Sequence, residues 1–281
     1  MVILMTLHSQ KLPKFLQDSK KSTTSSGPRR ELKVLFDETR EPGKWINEEH
    51  SRFLLILTSN GFNINKITKG PVTYTVLREF DIFVTGANSS GESILEPAEI
   101  RSISQFVREG RGLLVVGNQY VGMERDFNYA LESLFGISFD EYVEDKEKHV
   151  VPGSSEWVWA PIIDLLVEHP ITDKVFEVVL PRFSTLNLSK GADPIAFSNP
   201  SSTPPCKPMI GISQFGKGKV IAVGGDNLFT NDKTVGVQAK DNENLLYNIF
   251  RWFPKWKRCA NCNFDAPPST IFCPQCKKPL N

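Results

Sequence analysis

The sequence predicts an α/β fold built on a mostly parallel sheet, and residues 80–119 show this most clearly. They read as a strand at 81–85, a polar loop at 86–91, a helix at 96–109 and a second strand at 113–116. Neither strand alternates apolar with polar residues, so both faces of the sheet must be covered. A helix that connects two such strands predicts a βαβ crossover between parallel neighbours.

The predicted helix at 96–109 has clear start and stop signals. Pro97 lies in its first turn, Glu99 stands where the helix dipole favours a negative charge, and Gly110 follows its end. Its apolar residues recur at helical spacing, and they are Ile100, Ile103, Phe106 and Val107. This helix therefore has one face directed at the core.

The same alternation of strands and helices continues on both sides of this unit. Further strands are predicted at 32–36, 62–67, 175–180, 186–188, 195–197, 209–214 and 219–223, and further helices at 46–59, 126–135 and 241–253. The Gly216-Lys217-Gly218 turn predicts that the last two strands form a hairpin at the far side of the sheet. This order predicts a doubly wound, mostly parallel, flavodoxin-like three-layer sandwich.

Composition and charge divide the chain into three segments. Its 281 residues, 40% of them hydrophobic, suffice for one α/β domain of about 200 residues with appendages. Residues 1–33 carry seven Lys and Arg against two acids, and residues 251–281 carry six against one, so the net charge of +1 leaves −9 between them. We predict a flexible basic tail at 1–31, an α/β domain at 32–253 and a small basic module at 254–281.

No stretch of the sequence is long and apolar enough to predict a membrane span. The apolar start, Met1 to Leu7, falls far short of the ~20 residues needed, and no charged region precedes it and no small-residue cleavage site follows it. A cytoplasmic protein is therefore expected. The sequence leaves the oligomeric state open.

Four cysteines near the end of the chain have the spacing of a metal site. Cys259 and Cys262 form one C-x-x-C motif, Cys273 and Cys276 form another, and ten residues separate the two. This pattern delivers four thiolates to one tetrahedral Zn²⁺ at about 2.3 Å. Two disulfides are the alternative, which an expected cytoplasmic location disfavours. We predict a zinc ribbon with one structural Zn²⁺ per chain and a short hairpin within 263–272, folded by its metal.

Basic and aromatic residues surround this predicted ribbon. They are Trp252, Lys255, Trp256, Lys257, Arg258, Phe264, Phe272, Lys277 and Lys278. Such a mixture can bind nucleic acid through phosphate contacts and base stacking. Alternatively, the aromatics form the core of the ribbon and its seam with the last helix, and the ribbon docks a protein. We favour a protein partner, with nucleic-acid binding through the basic ends as the alternative.

A resemblance to a known family rests on a succession of loose motifs. These are Glu96-Pro-Ala-Glu-Ile100, Phe106-Val-Arg-Glu-Gly110, Gly112-Leu-Leu-Val-Val-Gly117, and Gly216-Lys-Gly-Lys-Val-Ile-Ala-Val-Gly-Gly-Asp226 with Asn231. Over residues 32–253 the chain resembles the class I glutamine amidotransferase-like superfamily. It is most similar to the branch without amidotransferase activity, found in the amino-terminal domain of an intraflagellar transport subunit and in auxiliary proteins of gliding-type ABC transporters.

The resemblance also predicts where catalytic residues would stand. Active members place a nucleophilic Cys on a tight elbow after a central strand, where a helix amino terminus acidifies the thiol. Here the equivalent turn, 117–119, reads Gly-Asn-Gln and offers no nucleophile. Cys206 lies in a proline-rich loop that we predict to be extended, and His50, His149 and His169 are expected to be surface or hydrogen-bonded histidines.

These observations favour a non-enzymatic binding or adaptor protein. The first alternative is a hydrolase or amidotransferase-related enzyme whose catalytic group is unrecognised, and the second is nucleic-acid binding through the basic ribbon.

A ligand site at the carboxyl edge of the sheet is a further hypothesis, because open α/β sheets usually bind ligands there. The loop at 86–91 has the spacing of a phosphate-binding loop, but Glu92 stands where such a loop needs Lys. A peptide or small polar ligand therefore fits this loop better than a phosphate, and a plain connecting loop without a ligand is the favoured interpretation. The candidate ligand residues are Asp37, Asn88, Ser89, Asn118, Gln119 and Asp226.

Overall fold

The computed structural model describes residues 31–86, 95–118, 125–150, 159–262, 264–266 and 270–280. The predicted basic tail up to residue 30 and the loop residues 87–91 lie outside these ranges. Within the described part of the chain, no helix combines the length and the apolar character needed to cross a membrane.

Strands and helices alternate along the described residues. The strands are β1 Leu32–Asp37, β2 Phe62–Ile67, β3 Ile82–Gly86, β4 Gly112–Val116, β5 Ile137–Tyr142, β6 Glu144–Asp145, β7 Ile162–Ile163, β8 Val178–Val179, β9 Ser184–Leu188, β10 Asp193–Phe197, β11 Ser202–Thr203, β12 Pro208–Phe215, β13 Gly218–Val223, β14 Lys257–Arg258 and β15 Asp265–Ala266. The helices are α1 Ser51–Ser59, α2 Tyr74–Leu77, α3 Pro97–Arg108, α4 Arg125–Phe135 and α5 Asn242–Trp252.

Seven of these strands form the central sheet, in the order β10-β12-β13-β4-β3-β1-β2. From β2 to β13 each neighbouring pair is parallel, whereas β12 pairs antiparallel with both β13 and β10. This confirms the predicted doubly wound, mostly parallel, flavodoxin-like arrangement. The predicted hairpin is the β12–β13 pair, and β10 extends the sheet beyond it.

Alternate side chains of each central strand enter different cores. Val34 and Phe36 of β1 pack with residues of α1 and α5, and Leu35 packs on the other face with residues of α3 and α4. A strand directs successive side chains to opposite faces, so a fully apolar strand needs two covering layers. The three-layer sandwich follows from these unalternating strands.

The helix predicted at 46–59 begins later than expected. A 3-10 turn, Glu48–His50, leads directly into α1, and the Asn47 side chain accepts a hydrogen bond from the His50 N–H. The carboxylate of buried Glu38 accepts the backbone N–H groups of Gly43, Trp45 and Ile46. These bonds hold residues 43–46 as a loop, because the N–H groups are satisfied outside a helix.

The strand predicted at 175–180 is also shorter than expected. Only Val178–Val179 pairs, with Ile162–Ile163. The backbone N–H groups of Phe176 and Glu177 donate instead to the Asp241 carboxylate. A side chain that is distant in sequence has replaced a neighbouring strand as their partner.

The linker from α5 to the cysteine-rich module is fastened to the α3–β4 turn. Trp256 Nε1 donates to the Gly110 carbonyl at 2.9 Å, and the Arg111 guanidinium lies 3.8 Å from the centroid of the Trp256 ring. Arg111 is itself paired with buried Asp81 at 2.7 Å. The interpretation that Trp256 packs against the last helix is therefore wrong. Its ring packs against the turn between α3 and β4.

A second buried carboxylate organises the region outside the central sheet. Asp145 is fully buried and accepts hydrogen bonds from five groups: the backbone N–H of Glu147 and Lys148, and the side chains of Asn199, Ser201 and Ser202. Burial alone would raise its pKa, but the hydrogen bonds outweigh burial and lower the pKa of Asp145 to about 2. These bonds fasten β6 to β11.

We predict that Trp256→Ala undocks the cysteine-rich module without unfolding the α/β domain. Loss of one cation–π contact and one hydrogen bond costs about 2 kcal/mol, which raises the undocked fraction roughly 30-fold. Trypsin should then cleave after Lys255 or Lys257 faster than in the parent chain. Tyr129→Ala, which removes an exposed aromatic of the body, is the control and should leave the cleavage rate unchanged. Equal rates for parent and Trp256→Ala would contradict the docking role.

Asp145→Asn should destabilise the chain by about 2–4 kcal/mol, because an amide cannot accept all the bonds that the carboxylate accepts. The depressed pKa gives stability that is present above pH ~4 and is lost as the pH falls toward 2. Urea unfolding at pH 7 and along this acid range should show both effects, and the Asn variant should lose this part of the acid dependence. Asp193→Asn, at an exposed position, is the control. A variant as stable as the parent at pH 7 would refute the role.

Candidate functional site

The four predicted metal ligands lie together in the structure. The four sulfur atoms all lie within 4.8 Å of one another, and they belong to Cys259, Cys262, Cys273 and Cys276. Cys259 Sγ lies 3.4 Å from Cys276 Sγ, and Cys262 Sγ lies 3.5 Å from Cys273 Sγ. The two C-x-x-C motifs, although ten residues apart in sequence, therefore face each other.

Both motifs are shaped by the same backbone hydrogen bonds. The N–H of Cys259 donates to the carbonyl of Phe264 at 2.9 Å, and the N–H of Cys273 donates to that of Lys278 at 2.7 Å. In return, the backbone N–H groups of Phe264 and Lys278 hydrogen-bond to the sulfurs of Cys262 and Cys276. Each C-x-x-C is thus a knuckle that aims two sulfurs at one point.

Strand pairing encloses the knuckles. Lys257–Arg258 pairs with Asp265–Ala266 around the first knuckle, and Phe272 bridges Pro279 around the second. Within the segment predicted to contain a short hairpin, 263–272, residues 265–266 thus pair with 257–258, and 263 and 267–269 lie outside the described residues. A knuckle is itself a tight turn, so its own flanks are the segments that come close enough to pair.

The geometry of the cluster fits a bound metal ion. None of the four cysteines is in a disulfide, and sulfurs 3.4–3.5 Å apart are far beyond the S–S bond length of about 2.05 Å. Four thiolates around Zn²⁺ at about 2.3 Å would have S···S edges of about 3.8 Å, close to these distances. The cluster could hold a metal ion and fits a small zinc-binding module.

The core of this module is formed by its cysteines. Cys259 and Cys273 are buried together with Ala266 and Leu280, and Cys262 and Cys276 pack against them. Phe264 and Phe272, which were predicted as core aromatics, are exposed, as is Ile271. That interpretation is wrong, because the space between the two knuckles is filled by the four cysteine side chains, Ala266 and Leu280.

At the carboxyl edge of the sheet, the predicted ligand residue Asp37 is committed to the fold. It is buried and accepts hydrogen bonds from the backbone N–H and hydroxyl of Thr39 and from the hydroxyl of Thr85. These bonds join the end of β1 to the end of β3. Asp37 therefore helps to hold this edge of the sheet together.

The predicted ligand residue Asp226 lines a cavity of ≈ 270 Å³ between the loops after β1 and β13. Its carboxylate lies 3.4 Å from Lys44 Nζ, which also pairs with Glu41 at 3.2 Å. Burial raises the pKa of Asp226, and Lys44 opposes this rise. His50 lines the same cavity, and burial lowers its pKa to about 4, so its ring is neutral at pH 7.

This cavity was not predicted as a whole. Sequence reasoning found Asp226 but treated the segment at 41–50 as a turn and the start of a helix. The signal was Trp45, a large aromatic in an otherwise polar loop, which is buried against Phe36 and Phe229. Its indole Nε1 has no hydrogen-bond partner within the described residues.

Asn118 is the other candidate edge residue that the structure describes, besides Asp37 and Asp226. Asn118 follows β4, and its backbone carbonyl accepts a hydrogen bond from Ser184 Oγ at 2.6 Å. Asn88, Ser89 and Gln119 lie outside the described residues. A ligand site formed by these residues at the carboxyl edge therefore stays a prediction.

Within the described ranges, no histidine ring is hydrogen-bonded to a cysteine or serine side chain. His50 Nδ1 lies 2.9 Å from the Asn47 side-chain oxygen, and His169 Nδ1 accepts the N–H of Ile171. The ring of half-buried His149 packs edge-on against Trp159.

Cys206 is exposed and adopts a left-handed conformation with φ of 52°. Its segment is a turn and not the predicted extended loop, since the carbonyl of Pro204 accepts the Ser198 hydroxyl and Lys207 donates to that same hydroxyl.

Comparison with known proteins gives structural neighbours. No protein-family model matches the sequence, and no curated protein matches it. The fold is similar to the mmIFT52 N-terminal domain, with a TM-score of 0.62 and 17% identity over 78% of this chain and 96% of that chain. A cytoplasmic protein from Salmonella typhimurium gives 0.56 and 15% over 79% and 98%. A ThuA-like protein from Bacteroides uniformis gives 0.52 and 16% over 82% and 94%. At these identities the likeness shows the fold alone, a mostly parallel sheet with helices on both faces.

Proposed function

We propose that this chain is a non-enzymatic adaptor, in which an amidotransferase-like α/β domain carries a zinc ribbon that docks a protein partner. The observation that carries the proposal is the four-cysteine centre. Four protein thiolates fill a tetrahedral site and leave no position for a substrate or a reactive water. Such a centre is structural: it fixes the conformation of the surrounding backbone, and a surface of fixed conformation can bind a partner.

Zinc is the metal that this centre suits. Thiolate ligands in a tetrahedral arrangement select zinc or iron–sulfur chemistry among the common metals. The paired knuckles, each with backbone N–H groups bonded to its sulfurs, match one ion per chain held by Cys259, Cys262, Cys273 and Cys276. With a core of four cysteines, one alanine and one leucine, the ribbon depends on the metal for its folding free energy.

The turn after β4 supports the proposal that the chain has no amidotransferase activity. Gly117 and Asn118 follow the strand end at which active members of the superfamily carry their nucleophile, and neither side chain can attack a carbonyl. The carboxylates and hydroxyls around Asp37 bond to one another and hold the sheet edge. A cytoplasmic location is part of the proposal, and one structural neighbour, from Salmonella typhimurium, is a cytoplasmic protein.

Purified protein should contain one zinc per chain, and Cys262→Ser or Cys273→Ser should abolish it. Three thiolates leave an open position and weaken a structural site. Metal analysis by mass spectrometry gives the stoichiometry, and Cys206→Ser, which changes an exposed cysteine outside the cluster, is the matched control that should retain one zinc. Chelation should unfold the ribbon and leave the thermal transition of the α/β domain. Metal-free protein with a folded ribbon and four reactive thiols would refute the assignment.

Purified protein should not release ammonia from glutamine above background. Loss of the nucleophile from a hydrolase site costs about 8 kcal/mol, and no other described group stands at the elbow to replace it. Cys206→Ala should leave both the ammonia assay and the thermal stability unchanged. Glutaminase activity that Cys206→Ala abolishes would overturn the adaptor proposal.

A further inference from the structure

The ribbon exposes three large apolar side chains, which we name the apolar knuckle patch: Phe264, Ile271 and Phe272. Their exposed fractions are 37%, 68% and 57%. Among the described residues, eight large hydrophobic side chains are exposed, and these three lie within a module of fewer than thirty residues. Scattered exposed apolar residues are normal, whereas a local concentration marks an interaction surface.

The metal-binding knuckles fix the backbone of this patch. Phe264 donates and accepts the hydrogen bonds that close the first knuckle, and Phe272 immediately precedes Cys273 in the second. The Ile271 carbonyl accepts the Leu280 N–H at 2.8 Å, and Phe272 bridges Pro279. The patch is therefore preorganised, which lowers the entropy cost of binding.

Folding of the ribbon does not require these side chains. Its core consists of the four cysteines with Ala266 and Leu280, and the contact with the α/β domain is made by Trp256. Neither the core of the ribbon nor its contact with the α/β domain includes Phe264, Ile271 or Phe272, and all three side chains are partly exposed to water. An external partner is the remaining use for them.

The charge around the patch is positive. Lys255, Lys277 and Lys278 are exposed, and residues 251–281 hold six basic residues against one acid. A complementary partner carries acidic groups, because opposite potentials across an interface speed association and exclude like-charged competitors.

Building on the adaptor function, we propose that the apolar knuckle patch binds an acidic amphipathic segment of a partner protein. Large apolar side chains of the segment pack against Phe264, Ile271 and Phe272, and its Asp and Glu residues face Lys277 and Lys278. The most exposed of the three residues is Ile271, an aliphatic side chain that cannot stack on a base. Protein anchors are buried apolar and aromatic contacts, whereas single-stranded nucleic acid is held by aromatic stacking, so the patch favours protein.

The test uses a random dodecapeptide display library, selected against the zinc-loaded full chain. Enriched peptides should have an excess of Asp and Glu and at least one large apolar residue. Their affinities are then measured by fluorescence anisotropy. The double variant Ile271→Ser/Phe272→Ser should weaken binding at least tenfold, and Lys277→Glu/Lys278→Glu should weaken it and reduce its salt dependence.

Matched controls come from the α/β domain. Phe176→Ser removes an aromatic that is 75% exposed, and Lys233→Glu reverses an exposed charge. Both should bind the selected peptides like the parent chain. All variants should retain one zinc per chain, so that loss of binding reports the patch and not an unfolded ribbon.

Several results would overturn this inference. Absence of enrichment, enrichment of basic peptides, or peptides that bind Ile271→Ser/Phe272→Ser undiminished would each do so. Tighter binding of a 12-nucleotide single-stranded RNA, lost in the same variant, would make the patch a nucleic-acid site. A dimer in sedimentation that this variant dissociates would make it a self-association site. Failure of the patch with no ammonia release from glutamine leaves the adaptor proposal standing, whereas glutaminase activity overturns the adaptor proposal itself.

Discussion

The buried carboxylate of Asp81 is the point on which both parts of the molecule depend. Its two oxygens accept the Lys33 backbone N–H and the Arg111 guanidinium, and its backbone bonds to Lys33 and to Gly112. One residue thereby sets the starting positions of β1, β3 and β4. A buried ion pair adds little net stability, but removing one partner costs about 3–5 kcal/mol because the other charge stays buried.

Arg111 extends the influence of Asp81 from the sheet to the ribbon. The guanidinium that neutralises Asp81 also lies against the Trp256 ring, and the preceding residue, Gly110, supplies the carbonyl for the indole N–H. Gly110 has φ of 115°, and a Cβ there would lie 3.4 Å from the Trp256 ring. The turn is shaped to receive an aromatic side chain. The ribbon is consequently mounted on an element of the α/β core.

The two ends of the sheet make different use of their polar residues. At the carboxyl edge, Asp37 and Glu38 bond to nearby backbone and hydroxyl groups and shape the loop after β1. Near the amino edge, where β1, β3 and β4 begin, Asp81 and Arg111 support the ribbon linker. In the described part of the carboxyl edge, Asp37 and Glu38 are therefore engaged in structural bonds, whereas the exposed apolar side chains of the ribbon lie in a separate, cysteine-rich module.

The sequence predicted those parts that depend on local signals. The bounds of β2, 62–67, match the prediction because Asn60 and Gly61 end α1, and the C-x-x-C spacing correctly brought the four sulfurs together. Contacts between distant residues left no local signal. The strand predicted from residue 175 was lost to Asp241, 65 residues away from Phe176, and the pairing of β5 with β9 was not anticipated. At the candidate ligand edge, the sequence showed that Asp37 is a polar residue at a strand end, but it did not show that Thr39 and Thr85 donate hydrogen bonds to it.

Two independent fastenings determine the surface that the ribbon presents. In the proposed function the metal centre folds the knuckles, because a core of cysteines, Ala266 and Leu280 is too small to be stable without it. The contact of Trp256 with Gly110 and Arg111 lies before the first cysteine and determines where the ribbon is held. Neither contact shares a residue with the other. The fold of the ribbon and its placement can therefore vary separately. Under the adaptor proposal, a partner that touches both the ribbon and the α/β domain requires both fastenings, whereas a partner of the ribbon alone requires only the metal.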